Sequence, residues 1–284
     1  MKKFKKAVII GPGLIGASLG MILRKEKIAD SVIGVARRKS TVVYAKKIRA
    51  IDLGLHDIKK AVIGADLVIL ATPVATIKKI IRQIKDKLKK NCIVFDVGST
   101  KKEIVRMAEQ TLPKSVKFVG THPMAGSEKT GPGNATDTLF RNSICFVVKT
   151  SKTNTSALNQ VIKIWQRCSA KPVIINSVMH DKIVAQISHL PHLIAAAVVN
   201  SVQDDFLKFA ATGFKDTTRV VSGDPGIWSE IAFSNRALIL KSIGRFEKKL
   251  AVLKKSLKGV NQKKFRHQLS AAKTKRDTVC KTQA

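Results

Sequence analysis

Short apolar runs alternate with segments of helical periodicity over the first 176 residues of the chain. The apolar runs predict strands at residues 5–11, 31–35, 66–71, 92–97, 116–121, 145–148 and 172–175. Apolar positions three and four apart predict helices at residues 14–25, 40–49, 75–88, 101–110 and 156–168. Strands that alternate with helices favour right-handed crossovers and a parallel sheet with helices on both faces.

After residue 176 the pattern is helical only, with helices predicted at residues 177–202, 225–235 and 236–257. We therefore predict an α/β doubly wound (Rossmann-type) domain at residues 1–176 and an all-α domain at residues 177–258. Residues 259–284 have few apolar anchors, which predicts a basic, frayed tail.

The chain carries a formal net charge of +34, and its basic residues become denser toward the end. From Lys248 to Ala284 there are twelve basic residues and one acid, Asp277. Single-stranded nucleic-acid binders interleave cations with aromatic side chains, whereas this tail offers only Phe265. A solvated lysine-rich surface is therefore favoured over a nucleic-acid partner, and the positive potential would also concentrate an anionic small substrate.

Nothing in the sequence predicts export or membrane insertion. The basic start followed by apolar residues resembles a secretory signal, but Gly11-Pro12-Gly13 interrupts it. We find no apolar stretch approaching the roughly 18–20 residues that a membrane helix needs. The four cysteines, Cys92, Cys145, Cys168 and Cys280, lack the spacing of metal or redox motifs. Reduced thiols and a cytoplasmic location are expected.

A glycine motif, Gly11-Pro12-Gly13-Leu14-Ile15-Gly16, follows the first predicted strand and opens the first predicted helix. This G-x-G-x-x-G context predicts a dinucleotide site. Gly11 permits the tight turn, Gly13 lets a pyrophosphate approach the backbone, and Gly16 lets helix pack on strand. The N–H groups of Leu14 and Ile15 then face the phosphates.

The end of the second strand predicts which dinucleotide is preferred. An acid at this place would bind the ribose 2′-hydroxyl of NAD, but the chain has Arg37, Arg38 and Ser40 there instead. Guanidinium groups suit a phosphate, so NADP is predicted over NAD. The alternative is that these cations belong only to an exposed loop.

Ligands of doubly wound sheets bind beyond the carboxyl ends of the strands. Thr72 and Pro73, Ser99 and His122 all follow such strand ends, so we predict that they surround the nicotinamide. Histidine has an ordinary pKa near neutrality, so His122 can accept a proton from a substrate hydroxyl while hydride leaves the same carbon. Ser99 would orient the imidazole or the hydroxyl.

The helical half contributes a second group of candidates. His189 and His192 are three apart and share a helix face, and Pro191 between them should kink the helix. Arg219 is a bidentate partner for a substrate carboxylate, and Lys215 is a second cation close to it. The histidines permit zinc, but no carboxylate is spaced as a ligand or base, so no metal is expected.

Together these motifs resemble the prephenate/arogenate (cyclohexadienyl) dehydrogenases of tyrosine biosynthesis, over residues 8–253. The resemblance is carried by Gly11-Pro12-Gly13-Leu14-Ile15-Gly16-Ala17-Ser18, Ala71-Thr72-Pro73, Asp96-Val97-Gly98-Ser99-Thr100-Lys101, His122-Pro123-Met124-Ala125-Gly126-Ser127-Glu128, Ser188-His189-Leu190-Pro191-His192 and Gly213-Phe214-Lys215-Asp216-Thr217-Thr218-Arg219. The glycine motif is common to many dehydrogenases. The histidine motifs in this order are specific.

The resemblance implies NAD(P)-dependent oxidative decarboxylation of prephenate to 4-hydroxyphenylpyruvate, or of arogenate to tyrosine. By motif match, His122 accepts the hydrogen bond of the 4-hydroxyl with support from Ser99, and Arg219 holds a substrate carboxylate. His192 lines the same pocket, with His189 nearby. The family further implies a homodimer built through the helical domain. We expect no appended regulatory domain, so feedback inhibition by tyrosine would act at the active site.

Two alternatives remain open at this point. A 3-hydroxyacid dehydrogenase shares the glycine-rich first domain and helical second domain, and Lys182 is its candidate catalytic lysine. A non-catalytic, basic NADP-binding protein that contacts nucleic acid is the other. The His122 motif argues against the first, and turnover would exclude the second.

Overall fold

The computed structural model of the chain describes residues 3–281. Eight strands form one sheet: β1 (Phe4–Ile10), β2 (Ala29–Val35), β3 (Leu53–Leu55), β4 (Leu67–Leu70), β5 (Ile93–Asp96), β6 (Lys117–Pro123), β7 (Ile144–Val148) and β8 (Lys171–Ile175). Their order is β3-β2-β1-β4-β5-β6-β7-β8. The first six helices are α1 (Leu14–Lys25), α2 (Lys39–Lys47), α3 (Ile58–Val62), α4 (Val74–Ile84), α5 (Lys102–Thr111) and α6 (Thr155–Arg167). The predicted doubly wound fold is confirmed.

Both faces of the sheet are buried, as the continuous apolar strands require. Along β1, Ala7 and Ile9 belong to a core that includes Trp165 of α6, whereas Val8 and Ile10 belong to a second core with α4 and α5. The strand order reverses at β1, which has β2 on one side and β4 on the other. The crevice beyond these strand ends is therefore the expected ligand site.

The sheet departs from the predicted all-parallel arrangement at one place. β6 and β7 are antiparallel, with His122 opposite Phe146, while β7 and β8 are again parallel. The segment between β6 and β7 contains only a 3-10 turn, Pro132–Asn134, among its described elements. Without a crossover helix the chain returns in the opposite direction.

The helices that follow are α7 (Ser177–Val184), α8 (Leu190–Asn200), α9 (Thr212–Thr218), α10 (Pro225–Ser234), α11 (Arg236–Lys258) and α12 (Gln262–Lys281). A π-helical turn, Ala185–His189, separates α7 from α8, where the sequence predicts one kinked helix. Pro191 follows this turn in the first turn of α8.

The segment Ser177–Asn200, with a mean hydropathy of 1.4, is long and apolar enough to cross a membrane by length and composition alone. The apolar runs of the sequence predict no such segment. The segment carries buried His180, Asp181 and His189, whose side chains make polar contacts with the rest of the fold.

By compactness the chain divides into a unit that ends at Arg236 and a unit that begins at Ala237. The domain boundary at residue 176 stays a prediction. Within the segment predicted as a frayed tail, residues 262–281 form α12. Asn261 caps this helix through its side chain and the N–H of Lys264 (2.9 Å), and Lys273 pairs with Asp277 one turn later (2.6 Å).

Three cysteines, Cys92, Cys145 and Cys168, are free and buried. The side chain of Cys280 lies outside the described residues. Burial raises the pKa of the Cys92 thiol to about 12, so this side chain is a neutral core residue at physiological pH.

Candidate active site

A cleft of about 710 Å³ opens at the carboxyl ends of β1, β4, β5 and β6. Its other wall is formed by α10 and by the 3-10 turn Arg219–Ser222. The predicted residues that line it are Gly11, Gly13, Leu14, Ile15, Thr72, Pro73, Ser99, His122 and Arg219. The structure thus brings the glycine loop, the histidine and the arginine to one cavity within the first compact unit.

The glycine loop has the geometry that a pyrophosphate needs. Gly11 has φ +93°, and a Cβ there would lie 2.6 Å from the carbonyl oxygen of Ala71. A Cβ on Gly16 would lie 2.3 Å from the carbonyl oxygen of Gly11, whereas a Cβ on Gly13 would meet open space. Helix α1 begins after Gly13 with no side-chain cap and no acid in its first turn. Its N-terminus is therefore suited to an anion.

The end of β2 lies next to this loop, because the N–H of Gly11 donates to the carbonyl of Val35 (2.9 Å). Arg37, Arg38 and Ser40 follow and are exposed, and α2 begins with no acid in its first turn. None of these three side chains lines the cleft itself. They stand on the surface beside the glycine loop.

His122, at the end of β6, is linked to two residues of α7 that the sequence analysis did not place at the site. Its Nδ1 lies 2.9 Å from Nε2 of His180, whose Nδ1 lies 2.7 Å from Oδ1 of Asp181. Asp181 also accepts the backbone N–H groups of Lys101 (2.8 Å) and Lys102 (3.0 Å). These contacts form a buried chain, His122–His180–Asp181, that ends in a fixed carboxylate.

The chain of hydrogen bonds defines the tautomers. An ionised Asp181 only accepts, so Nδ1 of His180 carries the hydrogen and Nε2 of His180 accepts. Nδ1 of His122 must then donate to His180, which leaves Nε2 of His122 as an acceptor. Because His122 lines the cleft, this nitrogen can receive a proton from a bound hydroxyl.

Burial and charge keep both histidines neutral. Burial lowers the pKa of His122 well below its ordinary value of 6.5, and His180, Lys101 and His189 add to this effect. Burial also lowers the pKa of His180, although Asp181 opposes it. For Asp181, burial alone would raise the pKa, but the hydrogen bonds from His180 and from two backbone N–H groups outweigh it. The result is a neutral base backed by an ionised carboxylate.

Ser99 lines the cleft from the turn after β5 and is half-buried. The turn is closed by Asp96, which accepts the N–H of Gly98 (2.9 Å) and pairs with the ammonium of Lys101. The hydroxyl of Thr100 in the same turn contacts the hydroxyl of Ser234 on α10 (3.1 Å). The turn that carries Ser99 is thus held to the sheet by Asp96 and to α10 by Thr100.

Arg219 donates from Nη1 to Oε2 of Glu128 (2.8 Å), and both residues line the cleft. The arginine side chain is 61% exposed. A hydrogen bond from its own backbone lowers the pKa of Glu128, and the nearby guanidinium of Arg219 adds to this effect, so the carboxylate is ionised. A substrate carboxylate would exchange with Glu128 for the same guanidinium.

The structure corrects the expectation that His192 lines the pocket. Its ring stacks on Trp228 at 3.5 Å between centroids, and Trp228 lines the cleft in its place. His189 lies edge-on to the same indole at 6.3 Å, and burial lowers its pKa to about 4. Both histidines support the wall of the cleft from behind. Lys215 is exposed on α9 and is not part of the cleft wall.

The residues of the site that were not predicted from the sequence are His180, Asp181, the Asp96–Lys101 pair and Trp228. A signal existed for Asp181, which directly follows a histidine of the helical half. Among the described residues, no group of three or more His, Cys, Asp or Glu side chains is arranged to hold a metal ion.

Comparisons with known proteins agree with this geometry. Residues 19–174 match the family model "Prephenate dehydrogenase, nucleotide-binding domain", and residues 176–271 match "Prephenate dehydrogenase, dimerization domain". A prephenate dehydrogenase of Lactococcus lactis is 35% identical over 87% of this chain and 69% of its own length.

Two solved structures are similar over nearly the whole chain. The prephenate dehydrogenase from A. aeolicus, in complex with hydroxyphenyl propionate and NAD⁺, superposes with a TM-score of 0.91 at 28% identity, covering 98% of this chain and 99% of its own. The arogenate dehydrogenase of Synechocystis gives a TM-score of 0.81 at 29% identity, covering 96% and 99%.

Proposed function

This chain belongs to the prephenate dehydrogenase family, and on that premise we propose that it converts prephenate to 4-hydroxyphenylpyruvate by NAD(P)-dependent oxidative decarboxylation. One observation carries the proposal: the His122–His180–Asp181 chain opens into the cleft that also holds the glycine loop and Arg219. A base, a dinucleotide cradle and a carboxylate partner thus face one volume.

The residues of the glycine loop fit the dinucleotide, because side chains on Gly11 and Gly16 would collide with the backbone while Gly13 leaves space. When bound, the nicotinamide supplies the acceptor for hydride from C4 of the substrate ring. Leu14 and Ile15 line the cleft at the start of α1, where backbone N–H groups bind phosphate.

His122 moves the proton in the proposed reaction. Its Nε2 takes the proton of the 4-hydroxyl as hydride leaves C4, and the hydrogen bond from its Nδ1 to His180, which Asp181 orients, keeps Nε2 available for that proton. Cleavage of the bond from C1 to the carboxylate then releases carbon dioxide. The electron pair of that bond completes the aromatic ring, and the phenolic oxygen recovers its proton from His122.

Ser99 and Arg219 position the substrate. Ser99 faces the cleft from a turn that buried contacts hold, and it orients the 4-hydroxyl toward His122. Arg219 binds a substrate carboxylate at the exposed end of the cleft in exchange for Glu128.

We further propose that NADP is preferred over NAD. The support is the end of β2, where Arg37, Arg38 and Ser40 are exposed beside the glycine loop and no acid follows the strand. The ratio of kcat/KM for the two dinucleotides tests this. A kcat/KM about tenfold or more higher with NAD would overturn the proposal. Tenfold is about the free energy of one charge-assisted hydrogen bond.

Arogenate is the second candidate substrate. Glu128 is ionised and lines the cleft, so it can attract the ammonium group that distinguishes arogenate from prephenate. The assay that decides follows reduced nicotinamide with each substrate and each dinucleotide. No reduction with either substrate would overturn the proposed function, and that result would reopen the 3-hydroxyacid and non-catalytic alternatives.

We also propose that the chain works as a homodimer in the cytoplasm. Large apolar side chains of the helical half are exposed in the single chain, including Ile187 (60%), Phe209 (74%) and Phe233 (73%). The buried free thiols suit a reducing compartment. Light scattering during size-exclusion chromatography should give twice the chain mass of 31.0 kDa, and a single-chain mass would contradict this assembly.

A further inference from the structure

Two fully buried ionisable side chains of the described residues lie beside the proposed base. The side chains of Lys101 and Asp96 are both 0% exposed and form an ion pair. Lysine and aspartate are almost never fully buried unless paired, because each loses its hydration. A pair this costly at the edge of an active-site cleft calls for a functional explanation.

The pair is built into the turn that connects β5 with α5. Asp96 ends β5, and its Oδ2 accepts both the ammonium of Lys101 and the N–H of Gly98. The other oxygen, Oδ1, is buried without a hydrogen-bond partner in the described part of the chain. Ser99 lies between the two charged residues, so the ion pair closes the turn that presents its hydroxyl to the cleft.

The same lysine contacts the proton-carrying chain through its backbone. The N–H of Lys101 donates to Oδ1 of Asp181, the oxygen that also contacts His180. A shift of the turn would therefore move the carboxylate that orients His180 and, through it, His122. One short segment of chain couples Ser99 to the base.

Titratable groups from three neighbouring elements surround Lys101. Lys101 faces Asp96, Asp181 of α7 and the neutral thiol of Cys145 on β7. His122 in turn faces His180, Lys101 and His189. Burial lowers the pKa of Lys101 while Asp96 and Asp181 oppose that shift, and a positive charge on Lys101 disfavours protonation of His122 and of His180 in this medium of low dielectric.

We propose that the buried Asp96–Lys101 ion pair is a positioning device for the proposed reaction, which closes the turn that carries Ser99 and, through the N–H of Lys101, fixes the carboxylate of the His122–His180–Asp181 chain. The inference rests on the proposed function. Lys101 acts through Ser99 and His122 and does not touch the substrate. Its charge makes His122 return the proton readily, because the imidazolium is a high-energy state beside an ammonium.

Three variants test this role. Lys101→Met removes the cation, and the double variant Asp96→Asn with Lys101→Met removes both charges, so that no unpaired buried charge destabilises the fold. Lys102→Met is the matched control, because its side chain is exposed while its backbone N–H still bonds to Asp181. The measurements are kcat and KM against pH and the NMR titration of the His122 ring.

We expect kcat on the pH plateau to fall by about tenfold to a hundredfold in both Lys101 variants, the range for a misplaced reacting group. The KM for the dinucleotide should stay unchanged, and the acid limb of kcat and the His122 titration should both move to higher pH. Lys102→Met should match the wild type in all four readouts.

An unchanged His122 titration in the folded double variant would overturn the inference. The same conclusion follows if that variant fails to fold, because the pair would then serve folding alone. If the wild-type protein does not turn over prephenate or arogenate, the proposed function fails, and the NMR titration still decides whether Lys101 acts on His122.

Discussion

The two ends of the cleft are held in opposite ways. At the His122 end, buried hydrogen bonds link His122 on β6 to His180 and Asp181 on α7, and Asp181 to the turn after β5. At the Arg219 end, the guanidinium is 61% exposed and holds only the exchangeable carboxylate of Glu128. Chemistry requires groups fixed within fractions of an ångström, whereas ligand entry requires contacts that water and substrate can replace.

Removing the base gives the largest expected effect. His122→Asn keeps a polar side chain but cannot accept the proton, so kcat should fall by about two to four orders of magnitude while KM changes little. Steady-state kinetics with saturating dinucleotide measure both. A near-normal kcat would show that the buried end does not carry the chemistry.

Replacing Asp181, at the far end of the hydrogen-bonded set His122–His180–Asp181, sharpens the comparison. Asp181→Asn replaces a carboxylate, which only accepts hydrogen bonds, with an amide that also donates. Nδ1 of His180 is then no longer required to carry the hydrogen. We expect kcat to fall by about ten- to a hundredfold, less than in a catalytic triad because one more imidazole separates the carboxylate from the substrate. His180→Asn should give a similar loss. A wild-type kcat in both variants would show that His180 and Asp181 do not assist His122.

At the exposed end of the cleft, a substitution of Arg219 should change mainly the KM for the substrate. Arg219→Gln removes a charge-assisted carboxylate contact, so the KM for prephenate should rise by about ten- to a hundredfold with a modest change in kcat. Lys215→Gln is the control, since that lysine is exposed and lies outside the cleft wall. Equal effects of the two substitutions would mean that bulk charge, and not the cleft geometry, attracts the substrate.

A smaller effect is expected from Arg37 and Arg38, which lie on the surface outside the cleft wall. The double variant Arg37→Ala with Arg38→Ala should raise the KM for NADP by about tenfold and leave the KM for NAD within about twofold. Lys47→Ala, at the exposed end of α2, should change neither. An equal rise in the KM for NADP and for NAD would mean that the arginines attract either dinucleotide through their positive charge alone.

The smallest effect concerns stability against pH. Burial lowers the pKa of His122 and of His180, and lowers that of His189 to about 4, below the ordinary 6.5. Below pH 6.5 the unfolded chain therefore binds more protons than the native one, and stability falls with falling pH.

The melting temperature should drop by about 2–4 °C for each kcal/mol lost as the pH is lowered from 7 toward 5. His189→Gln should flatten that dependence, whereas substitution of exposed His56 should not. A melting temperature independent of pH across this range would contradict the neutral, buried state of the histidines.

Much of the site could be predicted because its residues follow local rules. Gly11 and Gly16 are required by the close approach of backbone to backbone, which a single turn decides. Ser99 and His122 come directly after buried strands, and parallel strands bring their carboxyl ends to one edge. Spacing along the chain therefore translated into proximity in space.

The rest depended on packing between distant segments. Asp181 is 80 residues from the N–H of Lys101 that it accepts, and His180 is 58 residues from His122. No periodicity relates such positions, so their pairing exists only in the folded chain. The reversal of β7 and the shielding of His192 by Trp228 were likewise outcomes of packing.

The amino-acid sequence by itself determined the strand–turn–helix cradle, the doubly wound order and the residues at the strand ends, because backbone sterics and hydrophobic periodicity act over a few residues. Tertiary structure alone decided which carboxylate orients the imidazole of His122 and where the side chain of Lys101 is buried. The reason is that burial sets the charge state of a titratable group, and burial is a property of the assembled core.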